Sequence, residues 1–548
     1  MSALEATEVG LGPTAVPGVA NVSAGHTVAS YLGAFAPDAQ WDELVSWPPD
    51  AFALTNLVLD HTEGYRFAVA PCNGRHWPPL PDWSARVRAA AHAWTSARTR
   101  EGELPELVGR SWEAIARRST TPLAAIRTGE AWELTEALLT LHATADEACT
   151  DIGRLGRSAP PTSFERRAWQ LLQDHGSLSR LPASRVRVVP KTHLSARGIT
   201  IRSLSRHLAL CYESVDVRFR GADAATDRSA GAHEYTILLL PWPLSVSARD
   251  FRPTADGVLE NMEAELFGFF EFAPAQQLDL GFLHSLMQAA LDDVGHVDAV
   301  LLPEGAVDAD DVAGLERTLD EHGVSLLIAG VRQPPRAGAF GRNYLRLGIR
   351  GSSGWERYEQ DKHHRWFLDE AQIRQYHLTR SLAPKKLWWE AIDIRERVLH
   401  VIDIGSGVTL APLVCEDLAR LDEVADLVRR IGPSLVVSLL LDGPQLSSRW
   451  PSRYASILVD EPGSTVLTLT SYGMAARSRP PGRQHSRAIA HWHGKHNGSQ
   501  QIELPAGAAG VILTTSVDSG TLWTADGRCH GDVPALALRD VRPLRAAR

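Results

Sequence analysis

The chain has 548 residues, of which 44% are hydrophobic and 22% charged, and this composition excludes a disordered or fibrous protein. Its formal net charge of −9 argues against nucleic acid as a partner. The five cysteines are widely spaced without a CxxC pair, which argues against a disulfide framework or a zinc ribbon. The N-terminus lacks the features of a signal peptide, and no apolar run approaches the ~20 residues of a membrane span. The sequence predicts a soluble, cytoplasmic protein with no membrane partner.

The first third of the chain predicts a tail followed by helices. Residues 1–28 are rich in Gly, Ala, Val, Pro and Thr without periodicity, which predicts a loose tail. Residues 29–184 predict an all-helical accessory domain, because stretches such as 81–97 and 130–149 carry apolar residues at three- and four-residue spacing. Glu147 and Cys149 could form a reactive pair there, but a half-buried helix cysteine without chemistry is the favoured interpretation.

From about residue 185 the pattern changes to short strands that alternate with helices. Strands are predicted at residues 185–189, 200–202, 215–218 and 235–240. Residues 297–302, 310–322 and 324–331 predict a strand, an amphipathic helix and a second strand, and residues 408–414, 418–431 and 434–441 repeat this arrangement. Such strand–helix–strand units predict an α/β domain over residues 185–548.

One stretch is histidine-rich. AHWHGKHNG places His491, His493 and His496 close together, but no cysteine or carboxylate follows at a ligand-like spacing. We interpret the stretch as a solvated loop, and the sequence predicts no metal site.

Two segments place a reactive group at the end of a predicted strand. In LLPEG, Glu304 follows an apolar strand, and partial desolvation at such a position raises a carboxyl pKa and suits it to proton transfer. The alternative is that Glu304 simply begins a turn before a helix. In TLAPLVCEDL, Cys415 lies between a strand and a predicted helix, whose N-terminus would favour a thiolate. Here the alternative is a small core cysteine, which is the interpretation we favour for Cys211.

The third candidate is Lys362, one of only five lysines beside 51 arginines. It lies in YEQDKHHRWFLDEAQIRQY, where a solvated surface charge is the usual interpretation of a lysine.

Glutamate, lysine and cysteine in this order on an α/β background resemble the nitrilase, or carbon-nitrogen hydrolase, superfamily. The resemblance covers about residues 190–545 and is strongest to the glutamine-amidase domains of NAD synthetases, through DKHHRWFLDEAQIRQY and LVCEDL. It implies Glu304 as the general base, Lys362 as the family lysine, Cys415 as the nucleophile and Glu370 as the second glutamate of many members. Lys385 and Lys386 compete with Lys362, which we prefer because the following histidine and FLDE fit the motif.

The resemblance implies an α-β-β-α sandwich, preceded here by the helical domain, that pairs into a dimer. The implied activity is hydrolysis of a non-peptide carbon-nitrogen bond in a small amide, or a nitrile, through a cysteine thioester. The backbone N–H of Glu416 would help to bind the oxyanion. No cofactor is implied.

The alternative is a catalytically weak nitrilase-fold binding or sensor module. A weaker likeness of VPKTHLSARGITIRSLSRHLAL to the nitrilase-like half of some bacterial defence reverse transcriptases suggests a bacterial defence system as its setting. A lysine that faces solvent would favour this alternative, whereas three convergent side chains would favour the enzyme.

Overall fold

The fold is described from a computed structural model of the chain. It describes residues 26–35, 41–78, 81–96, 104–152, 161–194, 198–212, 215–221, 234–254, 263, 265–336, 339–351, 354–420, 424–478, 484–495 and 498–545. Most of the predicted tail, residues 1–25, lies outside this part, and helix α1 already begins at Val28.

The described chain before the first strand is helical. Its helices are α1 (Val28–Phe35), α2 (Trp41–Val45), α3 (Pro48–His61), α4 (Trp83–Thr95), α5 (Glu106–Arg117), α6 (Leu123–Arg127), α7 (Trp132–Ala148) and α8 (Ser163–His175). Helices α4 and α7 occupy the two stretches whose apolar spacing predicted them. No helix in the described part of the chain is both long and apolar enough to cross a membrane.

The remainder alternates strands and helices. The strands are β1 (Arg187–Pro190), β2 (Leu208–Cys211), β3 (Asp216–Gly221), β4 (Glu234–Leu239), β5 (Phe251–Pro253), β6 (Phe267–Phe272), β7 (Ala299–Asp308), β8 (Leu326–Gln333), β9 (Arg342–Gly351), β10 (Gly354–Asp361), β11 (Phe367–Leu368), β12 (Leu387–Glu390), β13 (Val398–Asp403), β14 (Thr409–Val414), β15 (Leu435–Leu440), β16 (Thr465–Thr470), β17 (Ala488–Gly494), β18 (Gly498–Glu503), β19 (Gly510–Trp523) and β20 (Cys529–Leu544). The helices between them are α9 (Leu280–Val294), α10 (Val312–Glu321), α11 (Glu370–Gln375), α12 (Asp426–Ile431), α13 (Trp450–Asp460) and α14 (Tyr472–Arg477).

Two seven-stranded sheets form the centre of the molecule. Sheet I has the strand order β10-β9-β8-β7-β4-β19-β20, and sheet II has the order β18-β17-β16-β15-β14-β13-β3. As predicted, β7 pairs parallel to β8 and β14 pairs parallel to β15. A small four-stranded sheet, in the order β11-β12-β6-β5, lies outside the two.

The burial of alternate side chains explains the layers. Successive strand residues point to opposite faces, so in β4 Ile237 and Leu239 pack between the two sheets while Leu238 packs with helices α9 and α10. In β15, Leu435 packs between the sheets and Val436 packs with α12 and α13 on the outer side. The resulting order of helix, sheet, sheet and helix confirms the α-β-β-α sandwich. The core of helices α3–α8 is continuous with the outer side of sheet II.

Three local predictions were wrong. Residues 200–202 are not a strand, since a 3₁₀ turn spans Ile201–Leu204, and the Ser203 hydroxyl accepts from the backbone N–H of Thr200 and donates to its carbonyl oxygen. The helix expected from residue 418 does not begin there, because a 3₁₀ turn spans Cys415–Leu418; α12 covers Asp426–Ile431, and residues 421–423 lie outside the described residues. His491 and His493 are buried in β17 rather than in a solvated loop, while His496 lies outside the described residues.

Candidate active site

Glu304 lies in a bulge of β7 and is fully buried. The pairing of β7 with β8 shifts between Leu302 and Val307, so the backbone leaves the regular ladder at Glu304, and Gly305 follows at a φ of 65°. On β8, a Cβ at Gly330 would overlap the Pro303 carbonyl oxygen and the Glu304 Cα. Glycine at this position therefore allows β8 to pass directly behind the bulge.

Lys362 follows β10 directly and its ammonium is held by two carboxylates. Its Nζ lies 2.7 Å from Oε1 of Glu304 and 2.7 Å from Oε2 of Glu390, the last residue of β12. Asn343, on β9, closes a ring: its Nδ2 donates to Oε1 of Glu304 and to Oε1 of Glu390, at 2.7 Å each. We call Glu304, Asn343, Lys362 and Glu390 the buried ring.

The charges of the buried ring change the pKa values of its members. Burial raises the pKa of Glu304, and the nearby Glu390 adds to this effect, while Lys362 opposes it. Burial also disfavours the Lys362 ammonium, but the two carboxylates outweigh that effect and hold its pKa well above the usual range. The backbone N–H of Leu441 donates to Oε2 of Glu304 at 2.7 Å, so both carboxylate oxygens are oriented.

Cys415 directly follows β14 and has a left-handed backbone conformation, with a φ of 47°. Such a conformation costs an L-residue of this kind roughly 1–3 kcal/mol and is concentrated at functional sites. The residue is only 2% exposed. Burial and the charge of Glu304 raise the pKa of its thiol, while Lys362 lowers it. The resting thiol is thus protonated at neutral pH and needs a base before it can act as a nucleophile.

Asp417 connects the lysine segment to the turn of Cys415. Its buried carboxylate accepts hydrogen bonds from the backbone N–H of His363, 3.2 Å from each oxygen, and lies 2.9 Å from Nδ1 of His364. His363 and His364 directly follow Lys362, so Asp417 fixes the position of the lysine relative to the cysteine. Glu416 lies in the same turn, and its backbone N–H as an oxyanion donor stays a prediction.

The structure brings Glu304 into contact with Lys362, and the charges of both act on the pKa of the Cys415 thiol, but it does not bring Glu370 to them. Glu370 begins α11 on the surface, where its side chain is 55% exposed and pairs with Arg374 at 2.7 Å. Asp369 caps that helix and thereby directs residue 370 into an exposed first turn. The second glutamate beside the lysine is Glu390. Of the competing lysines, Lys385 is exposed and Lys386 is half-buried.

Sequence reasoning missed Asn343, Glu390 and Asp417. Glu390 had a usable signal, since it alternates with Trp388 at the end of the apolar run LWWE and must share its buried face. Asn343 likewise opens the apolar strand RNYLRLGIRG. Asp417 carries no signal apart from its nearness to Cys415.

A cavity of about 610 Å³ reaches the buried ring. Asn343, Glu390 and Leu441 are among the residues that line it, and each donates to or accepts from a member of the ring. Phe270 and Phe272, from β6 of the small sheet, line another wall. A small molecule in this cavity would approach the ring across an aromatic wall.

No protein-family model matches the chain, and no curated protein matches it. Solved structures to which it is similar include Nit3 of Saccharomyces cerevisiae, a member of branch 10 of the nitrilase superfamily, at 12% identity and a TM-score of 0.31. That similarity covers 52% of this chain and 90% of Nit3. A mutant amidase from Nesterenkonia sp. AN1, with an acetamide moiety covalently bound at its active-site cysteine, is similar at 14% identity, a TM-score of 0.31 and the same two coverages. A carbon-nitrogen hydrolase from Helicobacter pylori G27 is similar at 12% identity and a TM-score of 0.30, over 50% of this chain and 86% of that one.

Proposed function

We propose that this protein hydrolyses the carbon-nitrogen bond of a small non-peptide amide, or of a nitrile, through a thioester on Cys415. The observation that carries the proposal is the 2.7 Å contact between Glu304 and Lys362, whose side chains are both fully buried. A base and a cation held beside a strained cysteine at a strand end suit acyl transfer better than structural support.

In the first half-reaction, the Glu304 carboxylate takes the thiol proton of Cys415, and the sulfur attacks the amide carbon. The carbonyl oxygen becomes an oxyanion, which the Lys362 ammonium and the Glu416 N–H stabilise. Glu304 then returns the proton to the nitrogen, and the carbon-nitrogen bond breaks with loss of ammonia or an amine. The acyl group remains on the sulfur as a thioester.

In the second half-reaction, Glu304 accepts a proton from water, and the resulting hydroxide attacks the thioester carbon. The carbon-sulfur bond breaks, the thiolate recovers its proton from Glu304, and a carboxylic acid leaves. The sum for an amide is amide plus water giving acid plus amine. A nitrile would first form a thioimidate on the sulfur, and a second water would convert it to the thioester with loss of ammonia, so water is the only other reactant in either case.

A binding or sensor module without catalysis would tolerate a lysine that faces solvent. Lys362 instead has no exposed side-chain surface and holds two carboxylates. Burying an ammonium is costly unless carboxylates pair with it, as Glu304 and Glu390 do here, and a lysine facing solvent would need no such partners, so the arrangement favours the enzyme.

The test is hydrolysis of a panel of small amides and nitriles by purified variants, with thermal melting to verify folding. Cys415→Ser should abolish turnover and the acyl-enzyme adduct seen by mass spectrometry. Glu304→Gln should slow both half-reactions, and Lys362→Ala should reduce kcat by roughly 10²–10³-fold. The matched control is Lys385→Ala, which removes an exposed lysine and should leave the rate unchanged. Wild-type rates in the Cys415 or Glu304 variant would refute the mechanism.

A further inference from the structure

A second cluster of ionisable groups lies where α7 meets the start of β20. Its centre is Arg528, a fully buried arginine that lies 3.1 Å from Asp146, 2.9 Å from Glu147 and 2.8 Å from Asp526. Asp146 also accepts hydrogen bonds from the backbone N–H groups of residues 206–208, at 2.8–3.0 Å. These contacts rigidly connect three distant segments of the chain.

Each of the three segments presents a metal-ligating side chain to one point. They are Glu147 at the end of α7, His207 before β2 and His530 in β20, and their ligand atoms all lie within 4.8 Å of one another. Nε2 of His530 is 3.4 Å from Oε1 of Glu147, and Nε2 of His207 is 3.9 Å from Oε2 of Glu147. Ligands of a tetrahedral metal at about 2.0–2.1 Å stand roughly 3.3 Å apart, so the ligand atoms would have to move closer to one another by up to about 1.5 Å.

The ring nitrogen of His530 provides an independent indication of a ligand. The His530 side chain is only 9% exposed, and within the described part of the chain its Nε2 has no hydrogen-bond partner. Buried ring nitrogens are normally satisfied, so one that faces a carboxylate and a second imidazole is typical of a site that binds something. Burial lowers the pKa of His530 to about 4, which leaves the ring neutral. Nε2 of His207 also lies 3.3 Å from Thr150 Oγ1, a contact that a metal would replace.

We propose that Glu147, His207 and His530 bind one divalent first-row transition-metal ion, with Zn²⁺ as the preferred occupant. Two imidazoles and one carboxylate form a common three-residue ligand set for catalytic zinc, which leaves the fourth position for water or a ligand. That position faces a cavity of about 640 Å³, which Arg88 and His92 also line. Arg528 and Asp146 orient the ligands from behind, as outer hydrogen-bonding groups do in metal sites. This site shares no residue with the buried ring and does not depend on the reaction at Cys415.

The experiment uses the full-length protein after removal of metals with a chelator. Titration with ZnCl₂ by calorimetry should show one tight site, and CoCl₂ should give the absorption bands of tetrahedral cobalt with nitrogen and oxygen ligands. Zn²⁺ should also raise the Tm, because it binds only the folded chain. His530→Gln should lose all three signals, and Glu147→Gln should do the same if it remains folded.

Two control variants make the result decisive. His493→Gln removes a buried histidine from another histidine pair, with His491, and should keep one equivalent of Zn²⁺. Cys415→Ser should also keep it, which separates this proposal from the proposed hydrolysis. The proposal is overturned if the wild-type protein binds no Zn²⁺ or Co²⁺, or if folded His530→Gln binds either as tightly as the wild type.

Discussion

Oε2 of Glu390 lies as close to Nζ of Lys362 as Oε1 of Glu304 does, so two buried carboxylates share one ammonium. The side-chain amide of Asn343 donates to both carboxylates at 2.7 Å and so bridges them a second time. Each carboxylate also accepts a hydrogen bond from a backbone N–H, Glu304 from Leu441 and Glu390 from Trp366. The charge of Glu304 acts on the thiol of Cys415, so Glu304 is the member of the buried ring that we expect to accept the thiol proton.

We therefore expect Glu390 to act as a positioning residue. Glu390→Gln should reduce kcat by roughly 10²-fold, since small displacements of catalytic groups carry penalties of this size. It should also lower the pH at which activity declines on the alkaline side, because Lys362 loses one of the carboxylates that raise its pKa. Glu390→Asp should restore part of the rate. The matched control is Glu370→Gln on the surface, and a large loss there with none at Glu390 would contradict this prediction.

The dependence of kcat/KM on pH should report whether the carboxyl group of Glu304 is protonated or ionised. The base must be ionised to accept the thiol proton, so activity falls as the pH falls through the pKa of Glu304 in the folded protein. Burial raises that pKa, and the acidic limb should therefore lie above 4.5. Rates measured over a series of buffers at constant ionic strength test this. A limb at or below 4.5, in protein that circular dichroism shows to be folded, would argue against Glu304 as the base.

Gly330→Ala should damage both stability and activity. A methyl group there would displace the backbone of Glu304, so we expect a loss of about 1–3 kcal/mol in the free energy of unfolding and a large fall in kcat. Gly109→Ala in α5 is the control, because the nearest atom to its new methyl group is 3.9 Å away. Urea unfolding and amide hydrolysis measure the two effects. Equal behaviour of the two variants would show that the close approach behind Glu304 is unimportant.

The left-handed backbone at Cys415 leads to a prediction about the free energy of unfolding alone. Cys415→Gly should be more stable than Cys415→Ala by about 1 kcal/mol, because glycine adopts a positive φ without the strain that alanine incurs. Cys211 in β2 is equally buried, and there the order should reverse, since glycine weakens a strand. Chemical denaturation of the four variants provides the comparison. A Cys415→Ala variant at least as stable as Cys415→Gly would show that Cys415 is unstrained.

The sequence by itself determined the regular elements and the order of the reactive residues. Apolar runs such as those of β7 and β15 predict buried strands wherever they occur, because burial of their side chains is the main force that orders them. Glu304 and Cys415 were recognisable since each directly follows such a run. Lys362 was recognisable only through its resemblance to a known motif.

Only the tertiary structure decided which carboxylate accompanies the lysine. Glu370 is nearer to Lys362 along the chain, but capping of α11 turns it towards solvent. Glu390 contacts the lysine because the pairing of β12 with β6 in the small sheet brings the end of that strand to the end of β10. The same holds for Glu147, His207 and His530. The first and the last of them are 383 positions apart in the sequence, and the contacts of Arg528 help to bring the three together. Spacing along a chain determines local geometry, whereas the meeting of distant segments depends on how whole sheets and helices pack.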